Sequence, residues 1–259
     1  MHASVPYHLW FSAAVCVVCA VFVSSSAVLL RERQVVNQAL DMQRNVLLAT
    51  GLATDDEQLS REDVEARFAK IRQIVINLRT GEEASEIDTA TFDQRIATAD
   101  VSKSREAQPN NAGLRRIANH ALVYELREAN DKLDLVVLPV RGLGLWGMLY
   151  GFIALDADLK TIHGLTFYEH KETPGLGGEV DNPRWKALWS GRQAFDASAE
   201  PTIEVIKGLA GPARDDPHRV DGLAGATMTS RGVTNLLQFW LGSDGFGPYL
   251  DVLRRRMEI

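Results

Sequence analysis

The sequence is short of several things, and each shortage removes a class of function. Residues 1–30 contain no Asp, Glu, Lys or Arg, so all 28 basic and 34 acidic residues fall in 31–259. The net charge of −6 leaves no basic excess to displace counterions, which argues against a nucleic-acid partner. Only Cys16 and Cys19 are present, so the chain beyond them forms no disulfide, and cysteine usage says nothing of its compartment. Their C-x-x-C spacing invites a redox reading. Both lie inside an apolar run on a shared helix face, where thiols are neither readily ionised nor reached by partners. They read as small membrane-helix residues. The six histidines (2, 8, 120, 163, 170 and 218) show no ligand-like pairing. With no cysteine in the body, the sequence predicts no metal site, and His170 and His218 read as surface or loop residues. No hydrolase triad has supporting context either.

What is present begins with LWFSAAVCVVCAVFVSSSAVLL, residues 9–30, an apolar run of membrane-spanning length. A cleaved leader would want a basic start and a shorter apolar core. MHASVPYH has no Lys or Arg, so a retained anchor is expected, although SSSA could serve as a cleavage site. The expected organisation is a short segment 1–8, a transmembrane helix 9–30 and a soluble domain 31–259. Arg31 and Arg33 follow the span, and the positive-inside rule taken alone would place that domain in the cytoplasm.

Residues 31–52 read as a polar-faced helix continuing from the anchor and ended near Gly51. Ser60-x-x-Asp63 is a capping box, opening a helix with Val64, Phe68, Ile71, Val75 and Leu78 on one face. Residues 102–113 carry Pro-Asn-Asn and read as a loop. HALVYELRE, LDLVVLPV, WGMLYGFIALD and IHGLTFYEH, rich in β-branched and aromatic residues, predict four strands. DNPRWKALW starts a helix with proline in its first turn, PTIEVIKG (201–208) is a short strand, and 231–242 is a helix ended by glycine. The C-terminal stretch from Gly247 is a short helix. The expected fold class is α+β: one N-terminal transmembrane helix, then a mostly antiparallel sheet flanked by helices.

Three stretches could carry chemistry. Gly142-Leu-Gly144-Leu-Trp-Gly147 matches G-x-G-x-x-G after a strand, but a strand rather than a helix is expected next. A dinucleotide fold is therefore disfavoured against a glycine-rich β-turn. Trp146 there suits the core or the face of a flat ligand. Glu169-His-Lys-Glu172-Thr173-Pro-Gly175-Leu176-Gly177-Gly packs three glycines and a proline into five positions after a strand. Its backbone can approach a ligand closely, with Thr173 bonding an edge and Leu176 covering a ring, or it is a mobile surface loop. DGLAGATMTS, residues 221–230, leads into a helix whose N-terminus suits a phosphate. N-capping by Thr229 or Ser230 would explain one hydroxyl, worth about 1 kcal/mol. It leaves Asp221, six residues ahead of Thr227, unexplained. Small, polar and accessible, the stretch looks like the substrate loop of a modifying enzyme, with an acid placed to help bind a metal-nucleotide donor.

Asp221-Gly-Leu-Ala-Gly225-Ala226-Thr227 resembles the acceptor motif of bacterial flavin transferases, with Ala224 standing where a hydroxyl is usual. The wider chain resembles the C-subunit family of the sodium-translocating NADH:quinone oxidoreductase. LLATGL, GLGLWGMLYGFIALD and LTFYEHKETPGLGGEVDNPRWKALW carry the likeness. The related G subunit of Rnf electron-transport complexes shares the Glu-Thr-Pro-Gly-Leu-Gly loop and is the alternative. The resemblance implies one covalent FMN per chain, joined to Thr227 through a phosphoester. It implies that Asp221, Gly225 and Ala226 shape the attachment loop and that Leu145, Trp146 and Glu172 to Gly177 pack on the flavin. Lys207 would approach the flavin phosphate or ring. It also implies an inner-membrane, single-pass protein with a periplasmic domain, against the charge-bias reading. Electrons would pass from NADH oxidation towards ubiquinone, coupled to sodium export. The implied partners are the other five subunits, above all the flavin-bearing membrane B subunit, with membrane lipid and the flavin transferase of maturation. No NADH site, quinone site or ion path is expected on this chain, whose span has no ionisable Asp, Glu, Lys or Arg.

Overall fold

The computed structural model describes residues 5–257. The chain divides into two compact units, Met1–Met42 and Gln43–Ile259. The first is the greater part of helix α1, Val5–Ala49, whose stretch Val5–Arg31 is long and apolar enough to cross a membrane, with a mean hydropathy of 2.5. Cys16 and Cys19 lie within it as free thiols.

The second unit starts with the last turns of α1. Val46, Leu47 and Ala49 are buried there, and Thr166 donates its hydroxyl to Asn45 at 3.1 Å. Gly51, at φ +68°, ends the helix in the left-handed region that favours glycine. Helix α2 (Arg61–Phe68) opens with the expected capping box between Ser60 and Asp63. It does not run on to Leu78. Its face breaks after Phe68, and Ile71–Asn77 is strand β1. Ile71, Val75 and Leu78 have helical spacing, but Ile74, Val75 and Ile76 are buried in succession on both faces of the strand, and such a strand shows no clean alternation. Helix α3 (Gln94–Ala99) follows. The stretch expected to be a loop contains strand β2 (Ser104–Glu106), paired antiparallel with β3 (Arg116–Ala118).

The four strands read from the sequence are all present: β4 (His120–Arg127), β5 (Leu133–Leu143), β6 (Met148–Asp156) and β7 (Ile162–Glu169). With β1 they form an antiparallel sheet in the order β1-β4-β5-β6-β7. Short hairpins join β4 to β7 in sequence, so the sheet needs no long crossover there. Helix α4 (Pro183–Lys186) begins as expected with Asn182 as its cap and Pro183 in its first turn. The strand expected over 201–208 shrinks to β8 (Glu204–Val205), parallel to β9 (Arg219–Val220). Helices α5 (Thr227–Leu241) and α6 (Gly247–Met257) complete the chain.

The main core lies between the sheet and α5. Val233, Leu236, Leu237 and Trp240 of the helix join Val136, Leu138, Leu149 and Ile153 of the strands in one buried cluster. The Trp240 indole N–H, buried with its ring, donates to the Arg141 carbonyl at 2.7 Å and satisfies the group that burial would otherwise penalise. Elsewhere, Phe68 of α2 and the strand residues Tyr124, Phe152 and Tyr168 form a row of rings with centroids 6.0, 5.8 and 5.1 Å apart. Burial pushes the Tyr168 phenol up, against the lowering effect of Arg95.

Candidate functional site

The site gathers where α5 begins, and it starts from how closely α5 can approach β5. A Cβ on Gly232 would lie 2.4 Å from the Leu143 carbonyl oxygen, and one on Gly142 would lie 2.5 Å from the Leu236 Cβ. Glycine at both positions lets helix and strand backbones meet. The turn after β5 is Gly144–Gly147, closed by the Gly144 N–H on the Gly147 carbonyl at 2.7 Å. Strand β6 follows at Met148, so no helix N-terminus faces this glycine motif and it is a hairpin, as the sequence favoured. Leu145 and Trp146 stand at its tip, 49% and 66% exposed.

The loop after β7 curls around one carbonyl. Thr173 accepts from the N–H groups of Leu176 at 3.1 Å and Gly178 at 2.9 Å, and Gly175, at φ +75°, makes the reversal. Thr173 and Leu176 are exposed, while Glu172 and Gly177 are buried. His170 sits in this loop, one of the two places expected for it. It is half-buried, with Nε2 2.7 Å from Asp181 and Nδ1 accepting the Glu172 N–H at 3.2 Å. His218 is likewise half-buried, Nδ1 lying 3.0 Å from the Gln193 carbonyl oxygen. The polar identity of both hid their partners, which are distant in sequence or formed by main chain.

The third stretch is stitched down at its start and open at its end. The Asp221 carboxylate accepts the Ala210 N–H at 2.8 Å, and its carbonyl accepts the Trp185 indole N–H at 2.9 Å. Gly222 donates to the Gly208 carbonyl at 2.8 Å. The segment bearing Lys207 is thereby held alongside. Gly225, at φ +71°, turns the chain towards the helix, and a Cβ there would lie 2.9 Å from the Leu176 side chain. Ala226 occupies the cap position of α5 with no side-chain bond to the helix start, and exposed Thr227 is the first helical residue.

Neither hydroxyl expected to cap α5 does so. Helix α5 starts earlier than the sequence indicated, which places Thr229 and Ser230 inside its first turn. Both are buried. Thr229 donates to Glu172 at 2.5 Å, and Ser230 accepts the Leu223 N–H at 3.1 Å. No residue in the first turn is acidic. The free N–H groups at this end are thus left without a side-chain cap or a neighbouring carboxylate on the helix.

A cavity of about 680 Å³ opens beside Thr227, between the 204–209 segment and α5. Gly225, Lys207 and Leu209 line it together with Arg231, which the sequence reading missed. Arg231 lies four residues after Thr227 and so shares its helix face, a spacing that could have flagged it. Among the described residues, neither Lys207 nor Arg231 has a hydrogen-bond or ion-pair partner on its side chain, whereas Arg67, Arg95 and Arg127 each pair with a carboxylate. Leu145, Trp146 and Thr173 lie outside this lining. Contacts through Glu172 and Leu176 connect that ledge to the α5 start.

Residues 144–242 match the FMN-binding domain family, an interval that begins at the β5–β6 turn and ends at the glycine after α5. The chain therefore carries an FMN-binding domain. It is 45% identical to the C subunit of the Na(+)-translocating NADH-quinone reductase of Yersinia pestis over 92% of this chain and 89% of that one. The corresponding C subunit of Pseudomonas aeruginosa is 46% identical over 93% of both chains. The crystal structure of Shewanella oneidensis NqrC superposes with a TM-score of 0.76 at 36% identity, covering 83% of this chain and 97% of that one. With identities of this size over nearly its whole length, the chain belongs to the family of C subunits of the Na(+)-translocating NADH-quinone reductase.

Proposed function

We propose that Thr227 carries FMN through a phosphoester and that the chain relays electrons within a sodium-exporting NADH:quinone reductase. The observation that carries this reading is the environment of Thr227. Thr227 is exposed at an uncapped helix start, beside a cavity of about 680 Å³ lined by Lys207 and Arg231, two cations unpaired among the described residues. The residues present fit FMN. A phosphate at Thr227 would meet free N–H groups and the positive end of α5, with Lys207 and Arg231 within the same cavity. The exposed side chains of Leu145, Trp146 and Leu176 offer an apolar ledge for a flat ring. Asp221 holds the Lys207 segment alongside through the Ala210 N–H.

When bound, FMN supplies one- and two-electron chemistry, and the chain's work is to hold and orient it and leave an edge open to partners. A covalent tether keeps the cofactor on a domain that faces the periplasm, where lost FMN would not be replaced. On this reading residues 9–30 anchor the chain in the lipid of the inner membrane, 1–8 lie ahead of that single pass, and 31–259 form the periplasmic domain. The flavin transferase modifies Thr227 during maturation. The assembled chain works with the other five subunits and exchanges electrons with the flavin-bearing B subunit, on the route from NADH to ubiquinone.

The test is coexpression with a flavin transferase, followed by denaturing electrophoresis under ultraviolet light. The wild-type band is expected to fluoresce and a Thr227→Val band to be dark. A dark wild-type band, or a bright Thr227→Val band, contradicts the assignment.

A further inference from the structure

Three stretches far apart in the sequence meet at one side chain. Glu172 is 5% exposed; its Oε1 accepts the Trp146 N–H at 2.9 Å, and its Oε2 accepts the Thr229 hydroxyl at 2.5 Å. The carboxylate thus ties the loop after β7 to the β5–β6 turn and to the first turn of α5. Its volume also explains two glycines. A Cβ on Gly144 would lie 2.5 Å from Oε1, and one on Gly177 would lie 2.5 Å from Oε2. Behind it, the Glu172 N–H donates to His170 Nδ1, and His170 Nε2 lies against Asp181. With Nδ1 accepting, the proton sits on Nε2, and the main chain that projects Glu172 is itself held.

Both Glu172 oxygens act as acceptors, and no cation pairs with it among the described residues. A buried charge held only by neutral donors is an unfavourable way to obtain packing alone.

We propose that Glu172 is a positioning residue of the flavin site. Its carboxylate locks the Trp146 turn and the α5 start into one wall, and its negative charge opposes the arrival of further negative charge on a ring resting there. The lock stands on the contacts of this chain; the effect of the charge rests on the function proposed above.

Two measurements on the full-length chain in detergent test it. In the flavin-free Thr227→Val background, hydrogen exchange at the Trp146 amide is expected to rise about tenfold or more in Glu172→Ala and to stay within about twofold in Glu172→Gln, which retains an acceptor. Thr229→Val, which removes one donor and leaves the Trp146 bond, supplies the readout should Glu172→Ala not fold; faster Trp146 exchange is expected there too. Unchanged exchange in whichever of the two variants folds overturns the lock. In the flavin-bearing chain, Glu172→Gln is expected to raise the midpoint potential of the flavin while leaving the thermal midpoint unchanged, a shift that a purely structural role would not produce. An unmoved potential overturns the charge effect. A wild-type chain that never acquires flavin counts against the function proposed above and removes the charge effect with it, while the exchange result still decides the lock.

Discussion

The chain has two glycine-rich turns that look alike on paper, Gly142–Gly147 and Gly222–Thr227. The first leads into strand β6 and the second into helix α5. In the first turn, Gly142 and Gly144 make room for other parts of the protein: Leu236 and Glu172 occupy the space their side chains would need. In the second, Gly222 is similarly crowded by the Ile206 carbonyl, but Gly225 is needed for its positive φ, and the turn ends on an uncapped helix beside a cavity. Glycine content is therefore a poor guide to ligand binding. What matters is whether the N–H groups that follow are consumed by a hairpin or left open at a helix end.

Four substitutions probe that contrast, from the largest expected effect to the smallest. Trp240→Ala removes the buried ring that fastens α5 beneath both turns, and should cost about 3–5 kcal/mol in denaturant unfolding of the whole chain. A cost near zero would mean that α5 is not held by this core. Gly142→Ala forces a methyl against Leu236 and should cost about 1–3 kcal/mol, read in the same titration. Gly225→Ala should cost about 1–2 kcal/mol through its left-handed backbone, and in addition should slow flavin attachment by displacing Leu176. A time course of in-gel fluorescence checks the second part. Trp146→Ala, at a mostly exposed tip, should change stability by no more than about 0.5 kcal/mol yet alter the visible spectrum of attached flavin. If Gly142→Ala slowed flavin attachment more than Gly225→Ala, the division between a packing turn and a binding turn would fail.

The sequence exposes this division only partly. Strands β4 to β7 were legible because each is a dense β-branched and aromatic run between polar or glycine breaks. The same density made β1 look like the continuation of a helix, since a strand covered on both faces over Ile74–Ile76 loses its alternation there. The candidate residues of the site were legible chiefly through resemblance. Small residues over 227–230 read as a loop and a cap, and nothing local announces that the helix already includes them. The bonds of Glu172 to Trp146 and Thr229 span 26 and 57 residues, and only the folded sheet brings these groups together. Hence the sequence reading offered Thr229 as a cap of the helix, whereas the structure makes it the buried partner of a carboxylate. Thr229 is consequently a poor control for Thr227. Exposed Met228, next along the helix, is a better one.

The account turns on the hydroxyl of residue 227, and peptide mass mapping of the polypeptide purified from its own membranes reads it directly. The predicted result is a peptide containing Thr227 heavier than its sequence mass by one riboflavin phosphate group. The same peptide found wholly at its unmodified mass, in a preparation whose other covalent flavins are intact, would contradict it.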